Sequence, residues 1–302
     1  MPNSRHADQA SRRLPDVGTV GVADARLLPN DSFEAAWSSI FFPDDAKGRL
    51  LQTVVSNIRL RATVPFEALP LHGVVLLTGR PGVGKTTVAR GLADKIARTV
   101  SGLGSWAFIE IDPHALASSS LGRSQRSVEE LFGRLLEEQA QQGPLVVLLD
   151  EVETLLTDRA ALSMEANPID VHRAVDAALV GLDRLAQRHP GVVVLATSNF
   201  PGAIDPALSS RADLIIRIPV PDPRGRRLIL EHTIAAVAAA FPGAQPLLAA
   251  AVLDRAAQLA EGLDGRRLRK AVAVACANEH CDPERVTPED LYATLRIMGE
   301  EQ

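Results

Sequence analysis

Eight consecutive residues, Gly79-Arg80-Pro81-Gly82-Val83-Gly84-Lys85-Thr86, match the spacing G-x-x-x-x-G-K-[ST] at every fixed position. Glycines at these points let a backbone turn its N–H groups inward, where they can cradle phosphate oxygens. In such a loop Lys85 reaches the β- and γ-phosphates of a nucleotide, and Thr86 offers its hydroxyl to Mg2+, with Thr87 next in line. Further on, the apolar run Leu145-Val146-Val147-Leu148-Leu149 ends in Asp150-Glu151. Neighbouring side chains on an extended segment point to opposite sides. Asp150 then fits a Mg2+ shell, while Glu151 fits orienting and deprotonating a water aimed at the γ-phosphate. A third apolar run, 191–198, ends in Asn199. That amide either holds the attacking water from the side opposite Glu151 or serves the turn with Pro201-Gly202.

The elements that must position these groups follow from periodicity. Val74-Val75-Leu76-Leu77 reads as a buried strand, and Val88, Leu92 and Ile96 recur at helical spacing after the loop. Strand, loop and helix start together put phosphate at a helix N-terminus, where partial positive charge favours an anion. Segments 106–112, 145–149, 191–199 and 214–218 read as further strands, separated by helical patterns. Ser32 reads as the cap of a short helix, Asp44 or Asp45 as the start of the next, and Ser127 as the cap of another. The apolar knot Ile40-Phe41-Phe42-Pro43 reads either as a wall for adenine, with Ile40 and Phe41 the contacts, or as ordinary packing against the sheet. Residues 206–211 read as a turn, and 117–126, Ser-rich, as a loop. Pro219, Pro221 and Pro223 mark a boundary, beyond which the pattern is helical, with starts at Asp222-Pro223 and at Thr287. The organisation expected is an arm over 1–31, a large nucleotide-binding domain over 32–221 and a small helical lid over 222–302.

Composition narrows the class. Hydrophobic residues at 46% and charged residues at 23% are ordinary for a globular chain of 302 residues. A net charge of -5 argues against a nucleic-acid-coating surface. There is no apolar run of the ~20 residues that cross a bilayer, and the polar first 21 residues lack a signal-like core. A cytoplasmic protein is expected. Cys276 and Cys281 flank His280 but have no evident fourth partner for a metal.

Taken together, strands alternating with helices and followed by a helical appendage resemble an AAA+ ATPase. Finer likenesses point to the pachytene-checkpoint, or thyroid-receptor-interactor, family. Asp150-Glu151-Val152-Glu153-Thr154-Leu155 resembles its D-E-V-E-[ST]-L signature, Thr197-Ser198-Asn199 its T-S-N, and Arg211-Ala212-Asp213 its D-R-A-D. Gly262-Leu263-Asp264-Gly265-Arg266 is similar to the opening of its lid motif G-L-S-G-R, and the likeness runs from about residue 33 to 297. The resemblance implies a five-stranded parallel sheet between helices, ATP with Mg2+, and a homo-hexamer with ATP at subunit interfaces. It implies that Arg211 reaches a neighbour's γ-phosphate and that Arg266 senses the γ-phosphate in its own subunit. Read alone, each is an ordinary surface arginine. It further implies a HORMA-domain client, opened or disassembled by the hexamer. In bacterial antiphage (CBASS) operons that client in turn connects to a cyclic-oligonucleotide synthase. Two departures stand out. Ser120 and Leu121 fall where the family's pore loop carries an aromatic pair. About 30 residues before Ser32 are too few for the separate recruiting domain of eukaryotic members, so an adaptor, the pore face or the arm is expected to capture the client. The alternative is an AAA+ ATPase acting on nucleic acid, of the helicase-loader or branch-migration type.

Overall fold

The computed structural model describes residues 12–40, 44–116, 123–157, 168–277 and 282–300. The chain divides into two compact units, one of residues 1–37, 45–79 and 85–217, the other of 38–44, 80–84 and 218–302.

The larger unit is built on one sheet. In chain order its elements are β1 (Val22–Leu28), α1 (Asp31–Ser38), α2 (Asp44–Thr63), β2 (Val74–Thr78), α3 (Lys85–Thr99), β3 (Trp106–Ile111) and α4 (Pro113–Leu116). Then come α5 (Arg123–Glu130), a π-helical segment (Leu131–Leu136), α6 (Glu137–Gln141), β4 (Leu145–Leu149), α7 (Pro168–Arg188), β5 (Val192–Ser198), α8 (Pro206–Arg211) and β6 (Ala212–Arg217). The strand order is β1-β3-β4-β5-β2-β6. The pairs β3–β4, β4–β5, β5–β2 and β2–β6 are all parallel. Every residue of β2, β3, β4 and β5 is buried, which is why these strands are near-continuous apolar runs rather than alternating ones. α3 buries Val88, Leu92 and Ile96 completely or nearly so, the stripe that the helical period predicts.

The expected five parallel strands are therefore present, and a sixth lies beside them. The stretch read as part of an N-terminal arm supplies β1, which pairs antiparallel with β3 from Val22↔Ile111 to Leu28↔Trp106. Asp24 and Arg26, bonded to one another at 2.6 Å, break up its apolar character, so it does not announce itself as an edge strand. Two helix starts also move. Asn30, not Ser32, caps α1: its Oδ1 accepts from Ser32 N at 3.1 Å. α5 already begins at Arg123, which leaves Ser127 inside it. Residues 206–211 form a helix rather than a turn, capped by Asp205, whose Oδ1 accepts from Ala207 N at 2.8 Å.

The second unit is helical: α9 (Pro223–Ala240), a 3-10 segment (Pro242–Leu248), α10 (Ala250–Leu259), α11 (Gly265–Cys276) and α12 (Pro288–Glu300). Leu230, Ile234, Leu253, Leu268, Val272 and Leu291 form part of its core. Its caps follow the expected chemistry. Asp222 Oδ1 accepts from Gly225 N at 2.6 Å. Thr287 and Asp290 make reciprocal backbone bonds. Cys276 is half-buried on α11; Cys281 and His280 lie outside the described residues. Among the described residues no helix is long and apolar enough to cross a membrane.

Candidate nucleotide site

The groups singled out by spacing converge at the carboxyl ends of the parallel strands, where open α/β sheets bind ligands. Lys85 is buried at 6% exposure, and its Nζ donates to Gly79 O at 2.9 Å and to Asn199 Oδ1 at 2.6 Å. Asn199 Nδ2 donates in turn to Glu151 Oε1 at 3.1 Å. The asparagine amide thus spans the lysine cation and the glutamate. Because its oxygen accepts and its nitrogen donates, only one orientation of the amide satisfies both partners.

Beside this bridge Thr86 Oγ1 donates to Asp150 Oδ1 at 2.8 Å, and Thr197 Oγ1 donates to the same oxygen at 2.5 Å. A hydroxyl and a carboxylate oxygen side by side at a helix start form a hard, all-oxygen donor set. That suits Mg2+, which keeps several waters and takes few protein ligands.

Glu151 adopts φ 52 and ψ 53, a left-handed conformation that costs a residue with a Cβ about 1 kcal/mol or more. Thr197 Oγ1 supports it by accepting the Glu151 N–H at 3.0 Å. The twist turns Glu151 out of the strand path, its side chain half-exposed, with His114 Nε2 3.6 Å from Oε2. One residue on, in the short 3-10 turn Val152–Thr154, Glu153 Oε1 accepts the Asn199 N–H at 2.9 Å. Thr197, Glu153 and His114 are contacts that spacing alone did not single out. The first two stand inside the quoted T-S-N and D-E-V-E segments, the only sequence signal that pointed near them.

The middle of the phosphate loop, Arg80, Pro81, Gly82, Val83 and Gly84, belongs to the second unit, as does Arg266. Gly82 has φ +83, and a Cβ there would fall 2.2 Å from Asp264 Oδ1, so only glycine fits. Asp264 caps α11 by accepting from Arg266 N at 2.8 Å and Arg267 N at 3.0 Å. Arg266 N also approaches Gly82 O at 3.3 Å, and the Arg266 side chain is exposed. Ile40 is buried, while Phe41, Ser120 and Leu121 lie outside the described residues.

Arg211 is not brought to this edge. It directly precedes β6, whose Ala212 pairs with Val74, the first residue of β2, whereas the loop follows Thr78 at the other end. Four residues of strand, roughly 13 Å, separate the two levels. Its guanidinium grips Asp183 with two bonds, Nε to Oδ1 at 2.7 Å and Nη2 to Oδ2 at 2.8 Å, while Nη1 donates to Ala207 O at 2.9 Å. The Asp183 bond holds the cation more strongly protonated than usual, against the opposing effect of burial. Three of its five N–H groups are used.

Strand, glycine loop, buried lysine and paired carboxylates define a phosphate-loop NTPase. The comparisons with known proteins place it more closely. The model of the ATPase family associated with various cellular activities (AAA) matches residues 75–220. CD-NTase-associated protein 6 of Pseudomonas aeruginosa is 44% identical over 279 residues, 91% of each chain. The pachytene checkpoint protein 2 homolog of Danio rerio is 36% identical over 67% of this chain, which spans 48% of that protein. Among solved structures, Caenorhabditis elegans PCH-2 matches with TM-score 0.75 and 25% identity, covering 95% of this chain and 77% of that one. A chain of the Escherichia coli MS115-1 HORMA:CdnC:Trip13 complex matches in fold with TM-score 0.76 and 17% identity, covering 95% and 98%. The chain belongs to the pachytene-checkpoint family of AAA ATPases, together with CD-NTase-associated protein 6.

Proposed function

We propose that this chain is a cytoplasmic, ATP-hydrolysing protein remodeller that works as a homo-hexamer on a HORMA-domain client. The observation that carries the reading is the Asn199 amide held between Lys85 and Glu151 beside the Thr86–Asp150 pair. Lys85 draws the β- and γ-phosphates of ATP into the loop formed by Gly79 to Thr86, with Thr87 following on α3. Thr86 and Asp150 would hold Mg2+, which when bound would supply charge neutralisation for the phosphate oxygens. Glu151 aims a water at the γ-phosphorus and takes its proton, and Asn199 steadies that water from the other side. On phosphate binding Lys85 exchanges Asn199 for phosphate oxygens, which frees the amide for this task. Arg266, at the first turn of α11, senses the γ-phosphate, and Ile40 with Phe41 walls the adenine. Arg211, well removed along the strands from its own chain's loop, serves the neighbouring subunit's nucleotide and stabilises charge in the transition state. We place the large domain from β1 to about residue 221, with β1 drawn in from the stretch expected to be an arm, and the lid over 222–302.

The relatives support a particular client. The similar Pseudomonas protein is named for its association with a CD-NTase, and the E. coli structure unites HORMA, CdnC and Trip13. We infer that the client is a HORMA-domain protein connected to a cyclic-oligonucleotide synthase, and that opening or dismantling the client complex regulates antiphage signalling.

The test is a trap. Glu151→Gln keeps the nucleotide contacts and loses the base, so it is expected to bind ATP and turn over at least about a hundredfold more slowly. Lysed with ATP and Mg2+, the variant should retain a HORMA-fold protein and its nucleotidyltransferase, identified by mass spectrometry. Wild-type turnover would remove Glu151 as base. Recovery of nucleic acid and its processing proteins would replace the client with DNA or RNA.

A further inference from the structure

We propose that Glu153 is a positioning residue for the hydrolytic step: it acts through Asn199, whose main chain its carboxylate anchors at the edge of the sheet. This rests on the ATPase reading of the site, and no role has so far attached to Glu153.

Asn199 lies one residue beyond β5, where the parallel pairing with β2 ends at Thr78 and Ser198. Its side chain must nevertheless hold two contacts at once, 2.6 Å to Lys85 and 3.1 Å to Glu151. Two bonds hold the peptide that leads into it: Gly79 N donates to Ser198 O at 3.3 Å, and the Asn199 N–H donates to Glu153 Oε1 at 2.9 Å, the shorter of the two. Bonds from amides to ionised carboxylates are about twice as strong as neutral ones. The anchor is itself tied down. Thr157 Oγ1 donates to Glu153 O, Asp205 N donates to Leu156 O at 2.9 Å, and Thr157 and Ile204 form an isolated antiparallel bridge. The segment after Glu151 and the segment after Asn199 are thereby laced together, with Glu153 at the lacing point nearest the phosphates.

The second carboxylate oxygen points to a role beyond cohesion. Glu153 Oε2 is buried with no hydrogen-bond partner among the described residues. A buried carboxylate with an unpaired oxygen is costly, and a neutral amide or hydroxyl would join two loops at lower cost. What a glutamate adds at this distance is a strong, directional hold on one N–H. The position of Asn199 matters because displacement of a positioning group by about 1 Å can cost a hundredfold in rate.

The experiment is a double-mutant cycle on steady-state ATPase, with ADP affinity and thermal stability measured alongside. Glu153→Ala is expected to lower kcat by about 10- to 100-fold while ADP affinity stays within about threefold. Combined with Asn199→Ala, it should add less than about twofold to the loss that Asn199→Ala causes alone, because the anchor has nothing left to position. Glu153→Gln, whose carbonyl can still accept the N–H, should recover to within about fivefold of the parent. If Glu153→Ala does not fold, Glu153→Asp takes its place in the cycle. It keeps the charge, falls one methylene short of Asn199 N, and should show the same loss of kcat. Multiplicative losses in the double variant, an unchanged kcat, or a Gln variant as slow as Ala would overturn the proposal. An Asn199→Ala protein with parental kcat would instead overturn the reading of Asn199 itself, and the proposal with it.

Discussion

Lys85 at the carboxyl end of the parallel strands and two half-buried arginines at the amino end are held in different ways. At the carboxyl edge, Lys85, Asn199, Glu151, Asp150 and Thr86 bond chiefly to one another's side chains, and Glu151 sits in a conformation that L-residues avoid. At the amino edge, Arg12 and Arg61 end on backbone carbonyls. Arg12 Nη1 donates to Ser105 O at 2.6 Å and Pro144 O at 2.7 Å, and its Nη2 to Gln139 O at 2.7 Å. Arg61 Nη1 donates to Val192 O at 2.5 Å, and burial pushes both guanidiniums down to about 10. A side chain bonded to backbone has its partner fixed by the fold. A side chain bonded to another side chain can exchange that partner for a ligand. Arg211 lies at the amino edge yet is of the second kind, since Asp183 holds it by side-chain bonds and leaves N–H groups over. By this contrast Arg211 groups with the side chains that can exchange partners, in keeping with the role proposed for it, and Arg12 and Arg61 with those the fold holds fixed.

The largest test of this contrast is Lys85→Ala. It removes the one cation that bridges Gly79 O and Asn199, and it is expected to weaken ATP binding by at least about a hundredfold, measured by equilibrium titration with a fluorescent nucleotide. Retained affinity would end the assignment of the loop. Next comes Arg211→Ala, expected to lower turnover by about a hundredfold or more with ATP binding preserved. Mixed with Lys85→Ala subunits it should regain part of that activity, because each supplies what the other's interface lacks. Failure of the mixture to recover would leave Arg211 with Asp183 as a structural pair, grouped with Arg12 and Arg61.

How much of this was legible in the sequence follows the same division. The loop and Asp150-Glu151 could be read because their chemistry demands fixed residue types at fixed spacing, and the strands carrying them are long apolar runs. The Arg211–Asp183 pair joins residues 28 apart in the chain, and Arg12 meets Pro144 across 132, so neither leaves a local pattern. β1 escaped notice because an edge strand tolerates Asp24 and Arg26, which dilute its period. Asn30 was passed over for Ser32 because both are good caps and only backbone geometry decides between them. Glu153 stood in plain view inside D-E-V-E, but the N–H it holds belongs to Asn199, 46 residues away.

The smallest expected effect on catalysis, and the sharpest check on the contrast, is Arg61→Ala. Arg61 reaches from α2 to the start of β5 and the end of α7, with Val192, Ala186 and His189 carbonyls as acceptors. It also fills the space over Gly73, where a Cβ would lie 2.0 Å from Nη1, and it stands near Asp213, whose burial raises its pKa despite bonds from His72 and Gly73 N–H. Truncation strips buried carbonyls of their donors and removes the cation that offsets Asp213. At about 1–3 kcal/mol per orphaned group, partly recovered by water, a net loss of about 3 kcal/mol follows. For a unit of this size that lowers the melting transition by about 6–12 °C. Turnover below that transition should stay within about twofold of the parent, because Arg61 meets the sheet at the start of β5, the end remote from Lys85. If Arg61→Ala instead lost activity at full stability, backbone-bonded arginines would have to be counted among the working groups, and the division between the two edges would fail.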